Sequence, residues 1–227
     1  MLLGPFFLGM SARKTIDRFE FERALWSDGA RRIAGVDEAG RGPLAGPVVA
    51  AAAVLPRAWA DSGLPRELNG LNDSKQLSAV QRENFFAFLT ACGEVEFAIA
   101  GVDSAQIDAT DILRATHRAM NEALARLVPT PEHVLVDGRH VNTISLPQTA
   151  LVKGDARSYS IAAASVLAKV TRDRLMLEFH ERWPAYGFAG HKGYGTQQHL
   201  AAIAAHGPCP IHRLTFAPFK PTQTELL

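Results

Sequence analysis

The segment Val36-Asp37-Glu38-Ala39-Gly40-Arg41-Gly42-Pro43 sets two adjacent carboxylates at the end of an apolar run, just before an arginine flanked by glycines. A buried strand that ends in two acids must solvate or neutralise both charges, and a bound metal ion does this most readily. Gly40 and Gly42 carry no side chain, so the backbone there can take positive φ and let a ligand reach its amides, while Arg41 adds a fixed positive fork. An apolar run into an acid recurs twice, at His133-Val134-Leu135-Val136-Asp137-Gly138 and at Thr149-Ala150-Leu151-Val152-Lys153-Gly154-Asp155. Three strand ends that meet would gather Asp37, Glu38, Asp137 and Asp155 into an all-oxygen set, which suits Mg²⁺ or Mn²⁺ better than zinc. Two such ions about 4 Å apart activate a water and stabilise both oxygens of an in-line phosphoryl displacement. Taken singly, each Asp could merely cap a turn. Three of them beside a Gly-Arg-Gly loop favour a site. Successive strand residues face opposite sides, so a break in the pleat is expected just beyond Asp37 to aim Asp37 and Glu38 at one metal.

Other residues could touch a ligand. In His191-Lys192-Gly193-Tyr194-Gly195-Thr196 an aromatic ring stands between glycines and beside a lysine. Such a ring can stack on a sugar or base near a phosphate. Lys75, in the loop Asn72-Asp73-Ser74-Lys75, is a candidate phosphate contact. His206, Cys209 and His212 have spacings that suggest zinc, but two prolines and a missing fourth ligand count against it.

The elements that must position these groups are legible in outline. Residues 32–37, 47–55 and 95–102 read as buried strands, the first two in hairpin relation. Ser78 reads as the N-cap of a helix with Phe85, Phe86 and Leu89 inward. A helix over about 109–127 places Ile112, Ala115, Ala119, Ala123 and Leu127 on one face. Strands then end at Asp137 and Asp155. A helix from Ser160 follows, apolar nearly all round at first and therefore buried, amphipathic from Arg172 to Trp183, and stopped by Pro184. Three hairpin-like strands, then helix, strand, strand and helix, imply an α/β mixed sheet with helices packed on it.

Composition agrees with this outline. The 227 residues are 47% hydrophobic and 21% charged, enough for one sizeable core. Two cysteines are too few for a disulfide framework, so a reducing, cytoplasmic setting is expected. Residues 1–10 are apolar but lack a basic stretch, contain a proline and are too short to span a bilayer, so they read as a frayed tail. The net charge of +1 hides a basic stretch: residues 139–220 hold 10 Lys/Arg against 4 Asp/Glu, and this half could face a polyanion.

In this order, Val36–Pro43, Leu71-Asn72-Asp73-Ser74-Lys75, Val136-Asp137-Gly138, Lys153-Gly154-Asp155, the helix Ile161–Asp173 and His191-Lys192-Gly193-Tyr194-Gly195 resemble the ribonuclease HII, or type 2 ribonuclease H, family. The resemblance spans about residues 31–219. It implies a catalytic domain there with a ribonuclease H-like fold and additional C-terminal helices, between an N-terminal extension (1–30) and a tail (220–227). It also implies endonucleolytic cleavage of RNA in RNA/DNA hybrids and 5′ to single ribonucleotides embedded in duplex DNA, leaving a 3′-hydroxyl and a 5′-phosphate. That chemistry serves ribonucleotide excision repair and RNA primer removal. Position by position, the catalytic, metal-binding acids fall on Asp37, Glu38, Asp137 and Asp155, with two divalent ions, Mg²⁺ or Mn²⁺. The substrate loop falls on Gly40, Arg41 and Gly42, and the junction-sensing tyrosine on Tyr194. Asp173 would be structural. A backbone loop can donate to and accept from a ribose 2′-hydroxyl, and a ring against the next sugar would be crowded by a second one. Expected partners are the hybrid and ribonucleotide-containing DNA, with no membrane and no obligate protein partner, the chain being a monomer. The tail 220–227 has no aromatic pair for a sliding clamp. Alternatives are another nuclease of the same general fold and a catalytically silent hybrid-binding module.

Overall fold

A computed structural model describes residues 17–219. The apolar start (1–10) and the tail on which the clamp argument rests (220–227) lie outside the described residues. In chain order the helices and strands are α1 (Glu20–Ser27), β1 (Ile33–Ala39), β2 (Val48–Val54), α2 (Ala58–Ser62), α3 (Ala79–Ala91), β3 (Glu96–Val102), α4 (Ser104–Ala109), α5 (Ile112–Ala125), β4 (His133–Asp137), β5 (Gln148–Leu151), α6 (Tyr159–Arg182), α7 (Phe188–His191) and α8 (Gln197–His206). The strands form one sheet in the order β3-β2-β1-β4-β5. β1 to β3 pair antiparallel, whereas β4 runs parallel to both β1 and β5. The expected mixed sheet flanked by helices is therefore present.

Packing follows from side-chain size. β2 reads Val-Val-Ala-Ala-Ala-Ala-Val and is buried throughout, so α6 on one face and α5 on the other come close to its backbone. Gly35 in β1 admits α6 more closely still: a Cβ there would lie 2.2 Å from the Ser160 carbonyl carbon. The first half of α6, Ile161–Ala168, is buried, as its apolar composition requires. Ser78 caps α3 through a reciprocal capping box with Gln81.

Two boundaries differ from the sequence reading. The helix expected over 109–127 is two helices, α4 and α5, parted at Thr110 and Asp111. Asp111 caps α5 by accepting from the Arg114 N–H at 2.8 Å, which favours a fresh start over continuation. The strand expected to run to Asp155 stops at Leu151. Lys153 then takes a left-handed conformation, and Gly154–Ala156 form a 3-10 turn, so Asp155 stands between strand and helix and not at a strand end.

Within the stretch 1–30, the described part packs on the domain. Phe19 and Trp26 are buried, and the buried Glu22 accepts from the Ser158 hydroxyl (2.7 Å) and the Ser160 N–H (3.3 Å) at the start of α6. Among the described residues no helix is long and apolar enough to cross a membrane.

Candidate active site

β1 and β4 bring Asp37 and Asp137 to the same end of the sheet. Their parallel pairing ends at Val36 opposite Val136, one residue short of both acids. The expected break in the pleat is absent: Asp37, Glu38 and Ala39 pair regularly with Ala51, Ala50 and Val49. Alternation therefore holds, with Asp37 on the α6 side and Glu38 on the α5 side. Both reach the same cleft because β4 no longer flanks β1 beyond Val36, leaving that edge open. Asp155 is joined to the pair by its turn, where the Gly154 N–H donates to Asp137 Oδ1 at 2.7 Å.

These acids repel one another in little water. Asp37 and Asp155 are each 6% exposed. Burial, then the charges of Glu38 and Asp137, hold the Asp37 carboxyl well above the usual range, against the Glu38 N–H and the Ser165 hydroxyl. Burial also raises Glu38, although Arg41, 3.4 Å away, opposes it. Asp155 is pushed up to about 6, by burial first and then by Asp137 and Asp73. Lys75 is the counter-ion: burial acts to lower it, but Asp37, Asp73, Asp155 and Asp137 together raise it. Asp37 accepts from the Glu38 N–H at 2.7 Å and Asp137 from the Gly154 N–H. Among the described residues no three His, Cys, Asp or Glu side chains stand together as a ready ligand cluster for a metal ion.

A cavity of about 280 Å³ collects most of the remaining candidates: Asp37, Glu38, Gly40, Arg41, Gly42, Lys75 and Tyr194 line it, with Ser165, Lys169 and Arg172 from α6. Asp137 lines a neighbouring cavity with Glu38 and Arg41. Tyr194 is 46% exposed, its ring edge 3.7 Å from where a Cβ on Gly42 would stand. Asp173 pairs with Lys169 at 2.7 Å along α6.

The supports of this site are buried cations that sequence reading passes over. Arg213 is fully buried and donates to the carbonyls of Gly40 (2.6 Å), Arg41 (2.9 Å) and Gly46 (2.8 Å). Arg172 donates to Pro47, Ala45 and Lys192. Burial, then Arg172, brings Arg213 down to about 9. Gly40, at φ +98°, cannot be replaced without cost, since a Cβ would lie 2.1 Å from Arg172 Nε. Asp73 beside Asp155 and Ser165 beside Asp37 were also missed. Both lie in segments whose importance showed in sequence without marking them out.

The histidines take a different part. The Cys209 N–H donates to His212 Nδ1 (2.9 Å), which leaves His212 Nε2–H to donate to His199 Nε2 (3.0 Å) and His199 Nδ1–H to the Tyr194 carbonyl (2.9 Å). Burial lowers His199 to about 4, consistent with a neutral chain of rings behind the tyrosine's loop. His206 is exposed at the end of α8.

Comparison with known proteins identifies the family and the fold. A family model described as ribonuclease HII matches residues 34–219. The ribonuclease HII of Geobacter metallireducens is 51% identical over 202 residues, 86% of this chain and 91% of its own. That of Ruminiclostridium cellulolyticum is 55% identical over 196 residues, 86% and 74% of the two chains. The crystal structure of ribonuclease H2 from Pyrococcus horikoshii superposes with a TM-score of 0.68 at 28% identity, covering 84% of this chain and 96% of that one.

Proposed function

The chain belongs to the ribonuclease HII family of metal-dependent endonucleases acting on RNA/DNA hybrids, and from this premise we propose that it also incises 5′ to single ribonucleotides in duplex DNA. The products are a 3′-hydroxyl and a 5′-phosphate, as ribonucleotide excision and primer removal require. The observations that support this reading are that Asp137 acts electrostatically on both Asp37 and Asp155, and that Asp37 and Glu38 line one cavity with the Gly40–Gly42 loop and Tyr194.

The donor set fits divalent ions. Asp37, Glu38 and Asp155, whose affinity for protons is raised, are the kind of groups that a hard dication relieves, and Lys75 alone cannot neutralise them all. Asp37, Glu38, Asp137 and Asp155 would hold two ions, Mg²⁺ or Mn²⁺. Ions bound there lower the pKa of a water and offset charge on the phosphate oxygens. The protein's own residues supply selection. The Gly40–Gly42 backbone, its carbonyls aimed by Arg213, approaches the ribose 2′-hydroxyl. Tyr194 stacks on the deoxyribose that follows, where a second 2′-hydroxyl would crowd the ring. Lys75 and Lys169 face the phosphates. The chain acts as a monomer in the cytoplasm.

Duplex DNA with one embedded ribonucleotide tests the reading. With Mg²⁺ or Mn²⁺ a single cut on the 5′ side of the ribonucleotide is expected, and absence of incision under both ions overturns it. Asp37→Asn is expected to keep duplex affinity within about three-fold and lose about 10²–10³-fold in kcat, the scale of removing one group that stabilises transition-state charge, here through the ions that Asp37 would hold.

A further inference from the structure

The acids stand between two cavities, of which the substrate reading uses only the first. The second, about 510 Å³, opens on the α5 side of the sheet and is bounded by Glu38, Arg41, His117, Asp137, Arg139 and His140. Glu38 and Arg41 are the wall the two share. The first cavity is walled by α6 residues, the second by α5 residues, so they lie on opposite faces at the open end of β1 and β4.

Charge is graded along the second cavity. Its inner end holds Glu38 and Asp137, and its outer rim holds Arg139 and His140. Gly138, at φ +84°, turns the chain after β4 and sets both rim residues in solvent. Among the described residues Arg139 has no carboxylate partner, whereas Arg41 in the same cavity is paired with Glu38. An unpaired guanidinium two residues beyond a candidate metal-binding acid suits a phosphodiester. A nucleic-acid strand with one phosphate at the acids is longer than either cavity. Having left Tyr194 on one side, it must cross the Glu38–Arg41 wall to the other.

We propose that this second cavity seats the sugar–phosphate backbone of the cleaved strand on the 5′ side of the cut, with Arg139 and His140 donating to its phosphates. The direction rests on the substrate reading above, in which Tyr194 takes the sugar 3′ of the ribonucleotide and so leaves the 5′ side to the opposite cavity.

Arg139→Gln alone and combined with His140→Gln tests the proposal, since both residues are exposed and His140 bonds the exposed Asn142. Binding is measured in the Asp37→Asn background, and turnover with the acids intact, on duplexes holding one ribonucleotide. One duplex has long flanks; a second is trimmed to a single nucleotide 5′ of the cut. On the long duplex the double variant is expected to raise Kd about ten-fold and flatten the log Kd against log salt slope by about 1 to 2, since each lost phosphate contact removes about 0.9. The kcat at saturation stays within about two-fold, and Arg139→Lys regains most of the affinity. On the trimmed duplex the variants match the parent. A Kd change under about two-fold on the long duplex, or an equal loss on the trimmed one, overturns the assignment. Failure of the substrate reading looks different: the unmodified protein would then not cut the embedded ribonucleotide.

Discussion

At the scale of single residues, Asp37 concentrates the conflict on which the proposed chemistry depends. It lies next to one acid in sequence and another in space, and its proton affinity is raised by burial first and then by both. The sign of the resulting pH dependence is determined. Asp37, Glu38 and Asp155 all bind protons more tightly folded than unfolded, so their stabilising contribution is full below the ordinary carboxylate range and is lost as pH rises through each folded value, which for Asp155 is about 6. Divalent ions reverse this by taking the protons' place. The rise in Tm on adding Mn²⁺ is therefore expected to be larger at pH 7.5 than at pH 5, and in Asp37→Asn the difference between the two pH values shrinks. Thermal unfolding followed by circular dichroism measures both, and an equal Mn²⁺ shift at the two pH values would contradict the cation site. The acids themselves were legible because apolar runs ending in Asp are local patterns. Their neighbours Asp73 and Ser165 were not, since a loop aspartate and a helical serine are commonplace until folding sets them beside a carboxylate.

Among elements, the contact between β1 and α6 decides the geometry of the cleft. The helix lies on a glycine, Gly35, with no room for a methyl group, and it carries Ser165, Lys169 and Arg172 to the wall opposite Asp37. Gly35→Ala must push α6 off the sheet, because the obstructing atoms are backbone. A loss of about 2–3 kcal/mol in unfolding free energy is expected, with kcat falling more than substrate Kd rises. Urea denaturation and steady-state kinetics separate the two effects, and a variant as stable as the parent would show that the helix is not held there by close approach. The sequence marked the helix as buried by its run of alanines. It did not show that Asp37 and Glu38 would share a cleft without a break in the pleat. That outcome depends on where β4 stops flanking β1, a property of two strands about a hundred residues apart.

For the molecule as a whole, the C-terminal region and the Gly40–Gly42 loop form one unit through Arg213, which reaches back 173 positions to the Gly40 carbonyl. Arg213→Met leaves the carbonyls of Gly40, Arg41 and Gly46 without their buried donor. The expected loss is about 3 kcal/mol, or roughly 6–12 °C in Tm, together with reduced preference for ribonucleotide over all-DNA duplex. Arg213→Lys recovers little, because one ammonium cannot span three carbonyls. Calorimetry and paired-substrate binding would detect both, and an unchanged preference would detach Arg213 from recognition. What the residues fixed on their own was the chemistry: which groups can bind a hard cation, where glycine frees the backbone, which runs are apolar enough to be strands or a buried helix. These follow from side-chain type and short-range periodicity. Only the tertiary structure decided that Arg172 and Arg213 are interior, that Asp155 stands on a turn, and that a second basic-rimmed cavity flanks the acids. A guanidinium is buried or exposed according to the carbonyls that distant segments bring to it, and no local pattern records that.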